Sequence, residues 1–407
     1  MKKILFLTPQ LPHPPHQGTT IRNYNLIAQL APRHEIHLLS LVASPPSAQS
    51  MEHLLSLCKS VHTLPVPMRS TRERAISTLL SPQPDMGLRL ESPLAHQRTA
   101  DLLGQELFDV IQVEGIEMAP YLLQAARLRE HRPLLVFDDH NAEYVLQRRA
   151  CETDVRKPAC WPAAAYSFVQ WQKLRRYERS ACQCADRVVA VSVADARALR
   201  SLLPGLAVAV IPNGVDLSYY RADEPFPPLP ASPSLVFTGK MDFRPNVDAV
   251  LWFYQQVLSR LQKSLPSPVH FYVVGQSPHP RLAPLAQDPH VTLTGYVNDV
   301  RPFIAGADVY VVPLRIGGGT RLKVLEAMAM GKAIVSTTLG CEGLGLQNGQ
   351  EALLADTPAF FADRVLALLR DASQRRDLGQ RARRFVEGRY DWQMIVPALE
   401  RLYERPA

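Results

Sequence analysis

No stretch of this 407-residue chain holds the roughly eighteen consecutive apolar residues that would carry a helix across a bilayer. The basic start Met1-Lys2-Lys3 leads into an apolar run, Ile4 to Leu7, that Thr8-Pro9 ends after four residues, too few for the core of a secretory signal. The expected location is the cytoplasm. The six cysteines (Cys58, Cys151, Cys160, Cys182, Cys184, Cys341) form no CxxC pair and have no partnering histidine cluster, which argues against a zinc site or a disulfide framework. Aromatic residues make up 7% of the chain and do not interleave with basic ones, and no nucleic-acid-binding motif occurs. A net charge of +7 therefore points to other anionic partners, namely nucleotides or acidic lipid surfaces.

What is present is an alternation of short apolar runs with helical patterns, the reading of a doubly wound parallel sheet, given twice. In the first half, strands are expected at Lys3–Thr8, Glu35–Val42, Phe108–Val113, Leu134–Asp138, Arg187–Ser192 and Val208–Ile211. In the second they are expected at Ser234–Thr238, Val269–Val274, Val291–Thr294, Asp308–Val312 and Ala333–Ser336. At this length two domains of roughly 150–200 residues are expected. The first is set at residues 1–215, ending in the turn Asn213-Gly214-Val215-Asp216, and the second at 216–390; five prolines between Ala222 and Pro233 read as a linker. Between Ser44 and Leu107 the pattern is poorer and reads as an excursion with a helix, carrying Arg69, Arg72, Arg74 and exposed leucines. That basic, partly apolar element reads first as a solvated face and second as a surface for a membrane or an acceptor. A long helix over Tyr166–Ala185, with Lys173, Arg175, Arg176 and Arg179, admits the same two readings.

In a sheet of this kind ligands bind beyond the C-terminal strand ends. The stretch Arg315-Ile316-Gly317-Gly318-Gly319-Thr320-Arg321-Leu322-Lys323 follows one of them and feeds a helix ending before Gly331, with Thr320 as the expected N-cap. Glycine-freed amides at a helix N-terminus attract an anion, and Arg321 and Lys323 place two cations where the dipole disfavours them unless an anion binds. Lys240, after another strand end, is the third cation expected to converge there. In the first half, Gly18, Thr19 and Arg22 open a helix after a proline-rich loop and are candidates for contacting a phosphate or sugar. The polar run Asp138-Asp139-His140-Asn141-Ala142-Glu143 sits at a strand end, where so many polar groups need a cleft, and His140 is the candidate acid–base or hydrogen-bonding group.

The Asn213-Gly214-Val215-Asp216 turn and the helix Leu325-Glu326-Ala327-Met328-Ala329-Met330-Gly331, set in two doubly wound domains, resemble glycosyltransferase family 4. The resemblance implies the α/β GT-B fold, two Rossmann-like domains facing a cleft, with a final helix over 391–407 packing back on the first. It implies a retaining transferase with a nucleotide-sugar donor in the C-terminal domain and a glycan or lipid-linked acceptor on the N-terminal one. No metal or other cofactor and no nucleic acid would take part, and a peripheral contact with the inner membrane surface is admitted. By position, Gly18 and Thr19 match the glycine loop near the donor diphosphate, His140 the histidine at the transferred sugar, and Glu326 the second carboxylate of a Glu-x7-Glu pair that holds the ribose. Lys240 stands where an arginine contacts the diphosphate. Gly318 replaces the first glutamate, and Pro245 falls near the usual lysine, so Arg321 and Lys323 are expected to neutralise the diphosphate. The subset most alike serves bacterial exopolysaccharide assembly. Two alternatives stay open: another GT-B enzyme (an epimerase or phosphorylase), or an inactive nucleotide-binding partner subunit.

Overall fold

The computed structural model describes residues 1–127, 132–156, 158–231, 233–317, 319 and 321–404. The chain divides into two units, Met1–Pro212 with Ile395–Ala407, and Asn213–Met394.

The first unit is built on seven parallel strands: β1 (Lys3–Thr8), β2 (Glu35–Val42), β3 (Ser60–Pro65), β4 (Val110–Glu114), β5 (Leu134–Asp139), β6 (Arg187–Ala190) and β7 (Val208–Val210). Their order is β3-β2-β1-β4-β5-β6-β7, so the winding reverses between β1 and β4. Central strands buried on both faces explain the continuous apolar runs: Ile4 to Leu7 are fully buried and pair in register with Ile36 to Leu39. Edge strand β3, which the sequence pattern did not reveal, is only partly buried and so lacks that signature. The excursion after Ser44 holds β3 and four helices, Ala48–Leu57, Thr71–Leu80, Asp85–Arg89 and Pro93–Gln105. The long helix runs over Trp161–Cys184, and the last helix, Trp392–Leu402, returns to this unit, where Glu400 meets Arg33 at 2.9 Å and His34 at 2.8 Å.

The second unit has six parallel strands: β8 (Ser234–Thr238), β9 (His270–Val274), β10 (Val291–Leu293), β11 (Val309–Val312), β12 (Ile334–Ser336) and β13 (Leu353–Leu354). The order β10-β9-β8-β11-β12-β13 reverses between β8 and β11. β8 and β9 end in Gly239 and Gly275, packed so closely that a Cβ on Gly275 would stand 1.7 Å from the Gly239 carbonyl oxygen. The proline-rich stretch over 222–233 is no boundary, contrary to its composition. It lies inside this unit, with Leu229 against Gly306 and Phe226 beneath Arg301, because apolar residues between the prolines find core to cover. The turn over 213–216 also belongs here, its Val215 N–H bonded to the Tyr390 carbonyl at 2.8 Å.

Candidate active site

At the switch point of the second sheet, the end of β8 and the segment after β11 meet, and the charged residues there come from a short helix, Leu322–Ala329. Its apolar residues Val324, Leu325, Ala327 and Met328 are buried, which fixes Lys323 and Glu326 on the remaining side. The helix begins later than expected, with Arg321 at the N-cap and no side-chain cap; Gly318 and Thr320 lie outside the described residues. Lys323 reaches back to the end of β8, where its Nζ donates to Asn246 Oδ1 at 2.8 Å and sits 4.1 Å from the centre of the Phe237 ring. Asn246 is itself fixed by donating to the Lys240 carbonyl at 2.8 Å. Burial pulls the Lys323 ammonium down to about 7, with Glu326 opposing and Arg321 adding to the fall. Burial raises the Glu326 carboxyl, against the Tyr220 hydroxyl that donates to it and the Lys323 charge.

Two of the three cations expected to converge do so only in part. Lys240 is half exposed, and its ammonium pairs with Asp242 at 3.3 Å; its backbone, rather than its charge, serves the site. Arg321 is 7% exposed and its Nε donates to the Leu339 carbonyl at 3.3 Å, because a guanidinium so buried needs protein acceptors. Gly317 has φ +110°, and a Cβ there would stand 3.2 Å from Pro245 Cγ and 3.5 Å from Arg321 Nη1, so the loop closes over both. Gly319 also has positive φ, at +80°. Asn246 and Tyr220, which hold the two central charges, carried no local sequence signal.

At the switch point of the first sheet a cavity of about 640 Å³ is lined by the loop after β1 (Pro9, Gln10, Gln17), by Thr19, and by Arg89, Glu117 and His140. Gly18 is the exposed first residue of helix Gly18–Leu30, beside Thr19. His140, just beyond β5, lies 2.7 Å through Nε2 from Glu114 Oε2. Burial alone would lower this imidazole, but the hydrogen bond and charge of Glu114, with the charge of Asp138, outweigh it and raise the group. The upward shift favours the imidazolium form, in which Nε2–H is donated to Glu114 and an Nδ1–H is left over. Arg22, expected to reach a substrate, is instead almost fully buried and spent on Asp138, with Nη2 at 2.6 Å and Nε at 3.1 Å from Oδ2. A carboxylate enclosed at a central strand end needs that counter-charge. Glu178 accepts the N–H groups of Glu143 at 2.6 Å and Tyr144 at 3.1 Å, so a carboxylate from the long helix caps the one that follows His140. Burial, then Glu117, drives Glu143 up to about 7.

Among the described residues, two groups have metal-ligand composition, Glu114 with Asp138 and His140, and Glu35 with His37 and Glu106. Each already holds a fixed cation: Arg22 lies on Asp138, and Lys3 on both Glu35 and Glu106.

Solved structures share this architecture. Sucrose-phosphate synthase from Thermosynechococcus elongatus aligns with a TM-score of 0.72 over 99% of this chain and 98% of that one, at 17% identity. Anabaena Alr3699/HepE in complex with UDP-glucose aligns at 0.65 over 99% of both chains, at 16% identity. The fold is that of the GT-B glycosyltransferases. Residues 17–219 match the family described as Glycosyltransferase Family 4, and residues 232–371 match Glycosyl transferases group 1. The chain belongs to glycosyltransferase family 4. Phosphatidyl-myo-inositol mannosyltransferase of Mycolicibacterium smegmatis is 31% identical over 204 residues, 48% of this chain and 51% of that protein. The capsular polysaccharide biosynthesis glycosyltransferase CapM of Staphylococcus aureus is 27% identical over 121 residues, 29% of this chain and 32% of that protein. The chain spans about half the length, or less, of these relatives.

Proposed function

We propose that this chain is a retaining glycosyltransferase that moves a sugar from a nucleotide-sugar donor to a glycan or lipid-linked acceptor in the assembly of a bacterial surface polysaccharide. The observation that carries the reading is the Lys323–Asn246 and Glu326–Tyr220 arrangement at the switch point of the second sheet. An ammonium and a carboxylate three residues apart suit a diphosphate and a ribose, which accept and donate hydrogen bonds respectively. As the glycosidic bond breaks, negative charge gathers on the leaving diphosphate, and a preorganised cation lowers that barrier without any metal. His140 supplies a hydrogen-bond donor to sugar hydroxyls. Work on bacterial surface glycans, as the name of CapM describes for that protein, supports the polysaccharide assignment.

Contact with the inner membrane surface is part of the proposal. Helix Thr71–Leu80 has no buried residue and exposes Ile76, Leu79 and Leu80 at 56%, 81% and 81%. Arg72 shares that face, one turn before Ile76, and Arg175, Arg176 and Arg179 are exposed elsewhere on the long helix. An apolar stripe edged by cations suits an anionic bilayer.

The test is a thermal-shift screen against UDP-, GDP-, TDP- and CMP-sugars, followed by transfer of labelled sugar from the stabilising donor into a lipid-extractable or polymeric fraction. Acceptor-dependent transfer is expected. A changed sugar without acceptor would instead indicate an epimerase, phosphate-dependent release a phosphorylase, and binding without turnover a partner subunit.

A further inference from the structure

The imidazole of His140 is the end of a line of side chains that begins just past helix Trp392–Leu402. Tyr403, one residue past that helix and 1% exposed, points its hydroxyl at Gln112 Oε1 across 3.3 Å. Gln112 is fully buried in the central strand β4, and its Nε2 donates to Glu114 Oε1 at 2.9 Å. Glu114, also fully buried, uses its other oxygen for His140 Nε2 at 2.7 Å. Each link fixes the next. An amide has one accepting and one donating end, so a donor on Gln112 Oε1 commits Nε2 to Glu114. A carboxylate held on one oxygen presents the other in a fixed direction, and this sets the plane of the imidazole. The start of the line is anchored as well, since Glu400 grips Arg33 and His34, and the His34 ring meets Tyr403 edge-on with centroids 6.3 Å apart.

We propose that Tyr403 is a positioning residue for His140, acting through Gln112 and Glu114. The proposal deepens the functional reading above and rests on it for the use His140 makes of its remaining N–H. Polar residues two apart in a parallel strand covered on both faces are costly to bury, and strands of this kind are otherwise apolar. Gln112 and Glu114 break that rule together, and the line of hydrogen bonds accounts for both. The groups facing His140 are Glu114 from β4, Asp138 from β5, Arg22 from helix Gly18–Leu30, and Glu143 from the helix that follows. The Glu117 carboxylate lies on the same side, since a Cβ on Gly115 would stand 3.2 Å from its Oε2 and 3.7 Å from His140 Nδ1. Of these, only Glu114 is linked to Tyr403 through Gln112.

The test is the pH midpoint of the His140 ring, followed by NMR in the full chain, for wild type, Tyr403→Phe, Gln112→Met and the double variant. Tyr403→Phe keeps the ring and removes the hydroxyl, so the chain stays folded by melting temperature. Freed from its donor, Gln112 releases Glu114, which becomes the stronger acceptor, and the His140 midpoint moves upward. Gln112→Met moves it in the same direction, and the double variant shows no more than the larger single effect, because both changes cut one line. In turnover, Tyr403→Phe lowers kcat several-fold with donor KM little changed. A midpoint that stays put in Tyr403→Phe, or shifts that simply add in the double variant, would overturn the proposal. The midpoint needs no turnover, so wild-type protein that transfers no sugar yet shows the coupled shifts would sink the functional reading alone.

Discussion

Lys323 carries opposing demands that its ionisation makes measurable. Its value in the folded chain, about 7, lies below the ordinary lysine range, chiefly through burial. Between those two values the unfolded chain holds a proton that the folded chain lacks, so stability rises with pH from about 7 upward, and below 7 the cost of the buried charge is present in full. Lys323→Met keeps the stem over Phe237 and removes the charge. It is expected to melt no lower than wild type at pH 6 and to lose part of the rise in melting temperature above pH 7. Nucleotide binding weakens roughly ten- to a hundredfold, because a charge-assisted contact worth about 1.5–3 kcal/mol is gone. Calorimetry in buffers of different ionisation enthalpy should show wild type taking up a proton on binding at pH 8, and the variant taking up less. An unaltered pH profile in the variant would assign the titration to another group. The partners of these charges divide sharply in how readable they were. Glycines, Lys323 and Glu326 stand in one short motif, where spacing along a helix carries the information. Asn246 lies 77 residues from Lys323, and only the crossover of β8 beside β11 brings them together. Gln112 and Glu114 did leave a trace, two polar residues inside an otherwise apolar strand, but a single strand does not say what they face.

Elements were legible where burial on both faces imposes a continuous apolar run, as in β1, β2 and β8, whose ends fall where the pattern sets them. They were illegible at the margins of the sheets. β3 is a half-buried edge, β13 is two residues long, and the prolines of 222–233 resemble a linker although the residues between them are packed. Helix Thr71–Leu80 is the reverse case, a regular element with nothing of its own in the core. Ser70 caps it by accepting from Glu73 N–H at 3.2 Å, and Lys173 Nζ holds its far end by donating to the carbonyls of Ser77 at 3.2 Å and Thr78 at 2.6 Å. Its exposed face can therefore be altered without touching the fold. Leu79→Asp with Leu80→Asp is expected to leave the melting temperature unchanged. Sedimentation with vesicles containing phosphatidylglycerol should fall by at least about tenfold, since each leucine buried in lipid contributes about 1.5–3 kcal/mol. Wild-type binding should also weaken as salt rises from about 0.1 to 0.5 M, the cations being screened over a shorter length. Wild type that ignores vesicles of every composition would remove the membrane from the proposal.

At the scale of the whole molecule, the first unit is made from both ends of the described chain and the second from its middle. The returning segment buries Ile395, Val396, Leu399 and Tyr403 at 4%, 0%, 0% and 1% exposure. Ending the chain after Met394 removes them, at a cost of roughly 5 kcal/mol or more by the usual scale for buried side chains. In calorimetry the first unit should melt about 10–20 °C lower, by the usual slope for a unit of this size, while the second keeps its transition and its nucleotide-induced shift. A single transition unmoved by the truncation would contradict the division. The hydrogen bond from Tyr403 to Gln112 joins residues 291 positions apart. A ribosome needs roughly 15–60 s to cover that distance. For most of that interval the nascent chain already holds the strand, the carboxylate and the histidine, but not the tyrosine proposed to align them. The strand-end loops of the second unit, proposed to hold the donor, are made before it. In the order of synthesis, the residues proposed to grip the donor precede the tyrosine proposed to align His140.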